Sequence, residues 1–389
     1  QSYISRLEKK IISRLKKEMK KFLSFAAIAL CVSFTSCSDD DDNYVPKPID
    51  VSTGAFIVNS GNMSSQISGS ITSIDYSTQT AAQKVFQAAN GRNLGTTPND
   101  ALIYGDKMYI VVTGENTVEV VNKNTMVSVG TIKTTEVMGA DKGETPRRLA
   151  AGNGKIYVST FKGYVAAIDT ASLNLDKIYQ AGSYPEGIAI DGNMLYVANS
   201  SYGNGQNPSI SYINLTDGSV TNLTDPLITN PVGISVIDGT LYVMDSGLYD
   251  SNYNQYGAGV KKITADKKVT NLIDATMMAT DKKNIYVINA PYSYVSPVTP
   301  TYSVYNIASG EVKTFITDNL PFSPSTIGVD PVNGYVFITS YSKNPDTGYA
   351  SYTTDGYVNM YKEDGTFVKM FSTGVGPNAI AFNTGVVYE

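Results

Sequence analysis

Four segments in the second half of the chain are rich in tyrosine and asparagine, and these residue types suit ligand recognition more than catalysis. Tyrosine presents a flat apolar ring with one hydroxyl and few rotamers to freeze, while asparagine offers both donors and acceptors. The pattern predicts a surface that recognises a large ligand with polar edges, or, alternatively, tyrosines that brace long loops against one another. The candidate ligand-binding residues in these segments are Tyr202, Tyr249, Tyr253, Tyr256, Tyr292, Tyr294, Tyr341, Tyr349, Tyr352, Asn204, Asn252 and Asn254.

A second set of candidates follows from a proline that recurs along the chain at the start of a repeated motif. Polar residues stand directly after several of these prolines, and an arginine lies in a long linker, residues 87–97. We expect these side chains near the mouth of a central channel, where they line the ligand site; the alternative is that they cap strand ends. The candidates are Arg92, Asn99, Arg147, Glu186 and Asn378.

The residues that most enzymes use are missing from this chain. It has no histidine, which excludes a Ser-His-Asp arrangement and a histidine-bound metal. Its two cysteines, Cys31 and Cys37, both lie in an N-terminal segment that we expect to be processed. We therefore predict no catalytic residues, no resident metal and no intrinsic cofactor. One alternative stays open, a calcium-dependent hydrolase in which Glu186, Asn99 and Asn378 supply oxygen ligands.

The motif that positions these candidates recurs from about residue 54 to the end of the sequence. A proline is followed eleven residues later by a tyrosine in an aliphatic-Tyr-Val strand, and a second pair of strands follows around a short polar turn. Two further copies carry Tyr286 and Phe337 in the same place. The regular spacing marks Tyr109, Tyr157, Tyr196, Tyr242 and Tyr286 as blade packing. The five full copies are Pro98–Tyr109, Pro146–Tyr157, Pro185–Tyr196, Pro231–Tyr242 and Pro377–Tyr388.

Units of four short strands that repeat about every 40–50 residues are typical of a β-propeller. We predict an all-β, seven-bladed propeller over residues 54–389, with four-stranded antiparallel blades and a ring closed by a C-terminal strand, 378–382. A ring of eight stays open, because residues 386–388 resemble an extra second strand that competes with 56–58. The tyrosine-rich segments then join the second and third strands of four blades, on one face of the ring.

The N-terminal region reads as an export signal rather than as part of the fold. We expect residues 1–18 to be an upstream extension and 19–37 to be a lipoprotein signal, with two lysines, an apolar run and Thr-Ser before Cys37. Cys37 would be lipidated, and residues 38–53, acidic and then proline-interrupted, would form a tether. This arrangement predicts a lipid-anchored protein displayed on the outer surface of the outer membrane.

The charge of the chain argues against nucleic acid as a partner. Of 30 Lys+Arg and 35 Asp+Glu, residues 1–37 hold 8 and 2, so the remaining chain carries 22 and 33, a net charge of −11. No basic patch stands out in that remainder. Because binding of phosphate backbones needs clustered lysine and arginine, we expect no nucleic-acid partner.

The blade motif, as in Tyr184–Ile190 followed by Leu195–Asn199, resembles the YncE-like and NHL-like propellers. Together with the lipoprotein signal, which resembles those of Bacteroidetes, the chain is similar to the BtuG family over about residues 54–389. That resemblance implies capture of cobalamin and related corrinoids and their transfer to a BtuB-like, TonB-dependent outer-membrane transporter. It carries over no individual ligand contacts.

Two residue-level observations agree with a corrinoid ligand. A flat macrocycle edged by amides fits a broad face of tyrosine and asparagine, and without histidine no imidazole of this chain can ligate the cobalt. We therefore predict a surface lipoprotein that captures cobalamin on the loop face of a propeller and is not an enzyme. The alternatives are a glycan- or peptide-binding propeller of another nutrient-uptake system and the calcium-dependent, lactonase-like hydrolase.

Overall fold

The computed structural model describes residues 47–203, 206–294 and 298–388. The propeller forms one compact unit, Pro48–Glu389. The predicted extension, signal, lipidated Cys37 and residues 38–46 of the tether lie outside the described residues. Within the part that is described, no helix is long and apolar enough to cross a membrane.

The described strands form seven four-stranded antiparallel sheets, which confirms the predicted seven-bladed propeller. Blade 1 comprises β1 (Pro48–Asn59), β2 (Ser70–Asp75) and β3 (Thr80–Ala82), and its fourth strand is the last strand of the chain. Blade 2 comprises β4 (Pro98–Tyr104), β5 (Lys107–Val112), β6 (Thr117–Asn122) and β7 (Ser128–Lys133), and blade 3 comprises β8 (Pro146–Gly152), β9 (Lys155–Thr160), β10 (Tyr164–Asp169) and β11 (Leu175–Gln180). Blade 4 comprises β12 (Pro185–Asp191), β13 (Met194–Asn199), β14 (Ser209–Asn214) and β15 (Val220–Leu223).

The remaining blades follow the same plan, and blade 5 carries a small extra hairpin. They comprise β16 (Pro231–Ile237), β17 (Thr240–Asp245), the hairpin β18 (Leu248–Tyr249) and β19 (Gln255–Tyr256), β20 (Gly259–Ile263) and β21 (Val269–Asp274); β22 (Met277–Thr280), β23 (Asn284–Asn289), β24 (Thr301–Asn306) and β25 (Val312–Thr314); β26 (Ser323–Val329), β27 (Val336–Tyr341), β28 (Tyr357–Tyr361) and β29 (Phe367–Ser372); and β30 (Pro377–Tyr388), which belongs to blade 1.

Short helices occupy two linkers between blades, where the sequence suggested none. They are α1 (Val85–Asn90), α2 (Thr134–Met138) and α3 (Ala140–Gly143). The first begins after Lys84, buries Phe86 and ends at Gly91, whose φ of 65° supplies the left-handed C-terminal turn. A helix of six residues is too short to show a helical period, which explains why the linker gave no signal.

The repeated aromatic residues hold the ring together at the interfaces between blades. Phe56, the five tyrosines of the motif and Phe337 are all less than a tenth exposed. Each lies in an apolar cluster that its own blade shares with the next, so seven clusters fill seven interfaces. The expectation that these residues serve blade packing is confirmed: a flat blade buries its two faces only against its neighbours. The five tyrosines are Tyr109, Tyr157, Tyr196, Tyr242 and Tyr286.

The ring closes by pairing the last strand with the first, as predicted. β30 is the innermost strand of blade 1 and pairs antiparallel with β1. Residues 384–388 continue this pairing along 48–52, so the suggestion that 386–388 form a competing second strand is wrong. Residues 48–53 belong to β1 and not to a tether, because the extended β30 gives them a partner. The two extensions form a ribbon, on which Val386 and Tyr388 are exposed.

A buried carboxylate fastens this closure from blade 7. Asp330 is fully buried, and its Oδ2 accepts hydrogen bonds from Ser52 at 2.6 Å and from the Tyr76 hydroxyl at 2.8 Å. Asn333 donates to the carbonyl of Ser52 at 2.9 Å. Burial, reinforced by the neighbouring Asp330, raises the pKa of Tyr76 far above its ordinary value. The turn after β26 thus connects blade 7 to β1, through Ser52, and to the end of β2, through Tyr76.

Alkaline pH is expected to destabilise the propeller by ionising buried tyrosines. Burial raises the pKa of Tyr109 and of Tyr361 to about 12, and both are 0% exposed. Their unfolded pKa is about 10, so the stability that the neutral hydroxyls contribute is complete below about pH 10 and is lost as pH rises toward 12. Each tyrosine then costs about 1 kcal/mol of unfolding free energy between about pH 9 and pH 11, which urea titrations at these two pH values would measure.

Tyr109→Phe is the matched control for this prediction. The Tyr109 hydroxyl is buried and has no hydrogen-bond partner in the described residues, so the substitution removes the titration without removing a bond. The variant should lose less stability than the native protein between these pH values. Equal loss in both proteins would show that Tyr109 does not contribute to alkaline unfolding.

Candidate ligand-binding site

Loops of very unequal length cover the face where the second strand of each blade turns into the third. The loops are short after β5 and β9 and long in blades 4 to 7, where they span 200–208, 246–258, 290–300 and 342–356. All of them emerge at the same end of the ring because the blades have the same topology. The predicted difference in loop length is confirmed.

Most of the predicted tyrosines are solvent-exposed on this loop face. Eight are more than half exposed, from 51% for Tyr249 to 76% for Tyr294, and their hydroxyls have no hydrogen-bond partner among the described residues. Tyr341 differs, since it is half-buried with its ring 4.8 Å from that of Tyr352, and burial raises its pKa. Asn204 lies outside the described residues. The eight are Tyr202, Tyr249, Tyr253, Tyr256, Tyr292, Tyr294, Tyr349 and Tyr352.

The long loops of blades 5 and 6 brace each other through main-chain and amide groups. The N–H of Gln255 donates to the Tyr292 carbonyl at 2.8 Å, and the N–H of Tyr292 donates to Gln255 Oε1 at 3.0 Å. Ser293 donates to Asn254 Oδ1 at 2.7 Å. The rings of Tyr249 and Tyr292 meet edge to face at 6.3 Å. Bracing and exposure therefore coexist: the backbones are fixed while the rings stay open to solvent.

Asp250 organises the tip of the blade 5 loop. Its carboxylate accepts the main-chain N–H groups of Asn252 and Asn254 and the Asn254 side-chain amide at 3.1 Å. These hydrogen bonds lower the pKa of Asp250. The carboxylate and the Asn254 amide are thus engaged inside the loop, and the loop presents Tyr253 at its tip, 68% exposed.

An aromatic cluster lies where the loop faces of blades 3 and 4 meet. The Phe161 ring lies 5.4 Å from that of Tyr184 and 5.8 Å from that of Tyr202, edge to face in both cases. The Tyr184 and Tyr202 rings are 5.4 Å apart and inclined by only 35°. The sequence analysis missed Phe161 and Tyr184, one in a short loop and the other before a motif proline. An aromatic residue beside Pro185 was the available signal.

Arg147 and Glu186 form an ion pair beneath this cluster. The guanidinium donates through Nε and Nη2 to the two carboxylate oxygens, each at 3.0 Å, and its carbon lies 4.4 Å from the centre of the Phe161 ring. Arginine is suited to this double role because it combines a planar fork of donors with a weakly hydrated face. The pair links blade 3 to blade 4, and each charge neutralises the other.

The other polar residues after the motif prolines connect neighbouring blades in the same way. Asn378 donates to the carbonyl of Pro98 at 3.1 Å, and Asn99 donates to the carbonyl of Arg147 at 2.8 Å. These bonds run from blade 1 to blade 2 and from blade 2 to blade 3. Each of these side-chain amides is thus hydrogen-bonded to the next blade. Ligand contact by these residues stays a prediction.

Arg92 is likewise occupied with its own structure. It donates to Glu119 at 2.8 Å, a carboxylate that is 2% exposed and that also accepts from Thr131. Its guanidinium lies 4.8 Å from the centre of the Phe86 ring, on helix α1. Arg92 therefore neutralises a buried charge and holds the first linker against blade 2.

The long loops of blades 4 to 6 contain few charged side chains. No group of three or more His, Cys, Asp or Glu in residues 47–203, 206–294 and 298–388 could hold a metal. Glu186, the carboxylate expected in a calcium site, has both oxygens bound to Arg147. The sequence of the loops 200–208, 246–258 and 290–300 holds no lysine or arginine. The exposed chemistry of these three loops is thus mainly aromatic rings, hydroxyls and amides, whereas the loop of blade 7 also carries Lys343, Asp346 and Asp355.

Seven four-stranded blades closed by the terminal strands define the chain as a seven-bladed β-propeller. Residues 53–372 match the family described as "Domain of unknown function (DUF5074)", and the chain belongs to that family. No curated protein matches the chain.

Two solved structures show how widely this fold is shared. A "Quinonprotein alcohol dehydrogenase-like protein" from Bacteroides thetaiotaomicron is 16% identical with a TM-score of 0.58, covering 86% of this chain and 79% of that one. "Kuenenia stuttgartiensis Hydrazine Synthase" is 16% identical with a TM-score of 0.55, covering 75% of this chain and 95% of that one. At such identities the likeness shows the propeller fold alone.

Proposed function

We propose that the protein is a binding protein and not an enzyme, and that it captures cobalamin or a related corrinoid on its loop face. In this proposal it is anchored through Cys37 at the surface of the outer membrane and passes the corrinoid to a TonB-dependent transporter. The observation that carries the binding role is the set of eight exposed tyrosines on the loop face, whose hydroxyls have no hydrogen-bond partner among the described residues. Large aromatic groups fixed in place and left in water are typical of recognition surfaces.

The chemistry of the face suits a large uncharged ligand edged by amides. A corrin macrocycle offers a flat apolar area for tyrosine rings and peripheral amides for hydroxyl and amide partners. The chain has no histidine that could replace the lower ligand of the cobalt. Recognition in this proposal therefore acts through the periphery of the corrinoid and leaves its metal coordination unchanged.

A surface glycan, or a peptide, is the second candidate, because exposed tyrosines also stack on sugar rings. The loops of blades 4 to 6 contain no lysine or arginine, and the Asp250 carboxylate among them is hydrogen-bonded within its own turn, so they favour neutral oligosaccharides as much as corrinoids. A calcium-dependent hydrolase has less support, since Arg147 occupies both oxygens of Glu186.

Isothermal titration of cyanocobalamin into residues 38–389, with a chelator present, tests the proposal. We expect one-to-one binding that the chelator does not change, since the site uses no metal. An absence of heat at micromolar protein would overturn corrinoid capture, and binding on a neutral oligosaccharide array would then favour the glycan alternative.

A further inference from the structure

We propose that Phe161, Tyr184 and Tyr202 form the anchor subsite of the loop face, on which an uncharged ring of the ligand stacks against Tyr202. The inference rests on the proposed function, since it assigns one part of the loop face as the place where the ligand is held. It goes further by naming the subsite and the kind of group that the subsite takes.

The three rings pack against one another in a single cluster. Each centroid lies within 5.8 Å of the other two, and two of the three contacts are edge to face, the favoured geometry of aromatic pairs. A cavity of about 410 Å³ opens beside the cluster and is lined by residues 161–164 and 180–184. The ring of Tyr202 is 70% exposed, so most of its surface remains available for stacking.

The backbone around the cluster is fixed by a set of short hydrogen bonds. The N–H and hydroxyl of Ser200 both donate to the carbonyl of Tyr184, at 3.1 and 3.0 Å. The N–H of Ser201 donates to the carbonyl of Ser183, and the N–H of Tyr202 donates to the Ser200 hydroxyl, each at 3.1 Å. Tyr184 and Tyr202 are therefore held side by side before any ligand arrives, which reduces the entropy lost on binding.

The turn that carries Tyr202 has a left-handed backbone at two consecutive residues that are not glycine. Ser201 and Tyr202 have φ values of 51° and 57°, in the left-handed region that glycine adopts without strain. Tyr184 also has positive φ, but so do Thr97 and Thr145 before their prolines, so that feature belongs to the blade repeat. A tyrosine that is strained and mostly exposed gains little from folding, which points to a role in binding.

The subsite presents no net charge to a ligand. Arg147 lies against Phe161, and the charge of its guanidinium is neutralised by the carboxylate of Glu186. Lys162, which lines the cavity, is paired with Glu144 at 2.8 Å. The neighbouring loops 200–208, 246–258 and 290–300 contain no lysine or arginine. Asp250 is the carboxylate within 246–258, and it already accepts hydrogen bonds from residues of its own turn. A charged ring would lose its hydration here without gaining a partner, so the group that stacks is uncharged.

The test compares the full chain with three variants and measures the melting temperature and the affinity for cyanocobalamin of each. Tyr202→Gly removes the ring and relieves the left-handed turn, so we expect an unchanged or higher melting temperature but about 30-fold weaker binding of cyanocobalamin. That loss equals about 2 kcal/mol at 1.4 kcal/mol per tenfold. Tyr202→Phe keeps the ring and should lose less than about threefold. Tyr388→Ala, an exposed tyrosine on β30 at the opposite end of the ring, should bind as the native chain does.

The possible outcomes separate this inference from the proposed function. Native affinity in a folded Tyr202→Gly variant would overturn the anchor and leave corrinoid capture standing. A lower melting temperature with unchanged affinity would show that Tyr202 only stabilises its loop. If the native chain binds no cyanocobalamin, corrinoid capture fails, and maltoheptaose becomes the probe: its loss in the variant supports the anchor, and its failure to bind the native chain overturns it.

Discussion

Protein that ends at Gly376 is expected to lose its cooperative unfolding transition and to associate. β30 gives Ala379 and Ala381 to the core between blades 1 and 2, and Ile380 and Phe382 to the core between blades 7 and 1. The partly buried Ile380 and Phe382 contribute roughly 1–2 kcal/mol each, and the strand also supplies the hydrogen bonds along β1. This total approaches the roughly 5–15 kcal/mol by which a whole domain is stable.

A shorter truncation provides the matched control for this prediction. Protein that ends at Asn383 keeps the core residues of β30 and loses only 384–389, in which the apolar Val386, Val387 and Tyr388 are exposed. It should remain monomeric, with a melting temperature a few degrees lower. Calorimetry and gel filtration would compare both proteins, and a peptide of residues 377–388 should restore monomers to the longer truncation by strand addition. A monomeric, cooperatively folded protein ending at Gly376 would show that the ring does not need its last strand.

Replacing Tyr253, Tyr292 and Tyr349 together with alanine is expected to weaken ligand binding by several kcal/mol. Buried aromatic side chains at interfaces are worth about 2 kcal/mol or more each when truncated. The three lie on loops of blades 5, 6 and 7, so the change removes rings across a broad part of the face. The two bonds between Gln255 and Tyr292 use the main chain of Tyr292 and survive the substitution.

The phenylalanine triple variant separates ring stacking from hydroxyl contacts. It should retain most of the affinity if the faces of the rings carry the contact, and should lose about 1 kcal/mol per hydroxyl if hydrogen bonds do. Titration calorimetry with cyanocobalamin measures both variants, with the melting temperature as the check on folding. An alanine variant that folds and binds normally would move the contact area away from blades 5 to 7.

The fold could be predicted from the sequence because the same local pattern is written many times. A proline, an aliphatic strand and a tyrosine at a fixed offset recur often enough to give blade number, strand order and closure. The ribbon of residues 384–388 with 48–52 was not predicted, because its strands are far apart in the chain and only their pairing gives them a role. Residues 386–388 read locally like any second strand.

The candidate site could be predicted only as a face. Loop length and composition showed that the tyrosines cluster at one end, and eight of them are exposed as expected. The pairing of Arg147 with Glu186, of Arg92 with Glu119 and of Phe161 with Tyr184 and Tyr202 depends on how blades meet. Such contacts are fixed by packing and leave no spacing in the sequence that would reveal them.

The pairing of β1 with β30 also sets the order in which the molecule can be completed during its synthesis. The first strand emerges from the ribosome while the partner that covers its inner edge does not yet exist. At about 5–20 residues per second, the delay between residues 59 and 377 is on the order of tens of seconds. Blades in the middle can fold without β30, but the inner edge of the β1 segment that carries Phe56 and Val58 stays uncovered until β30 pairs with it, so closure of the ring is the last step of folding.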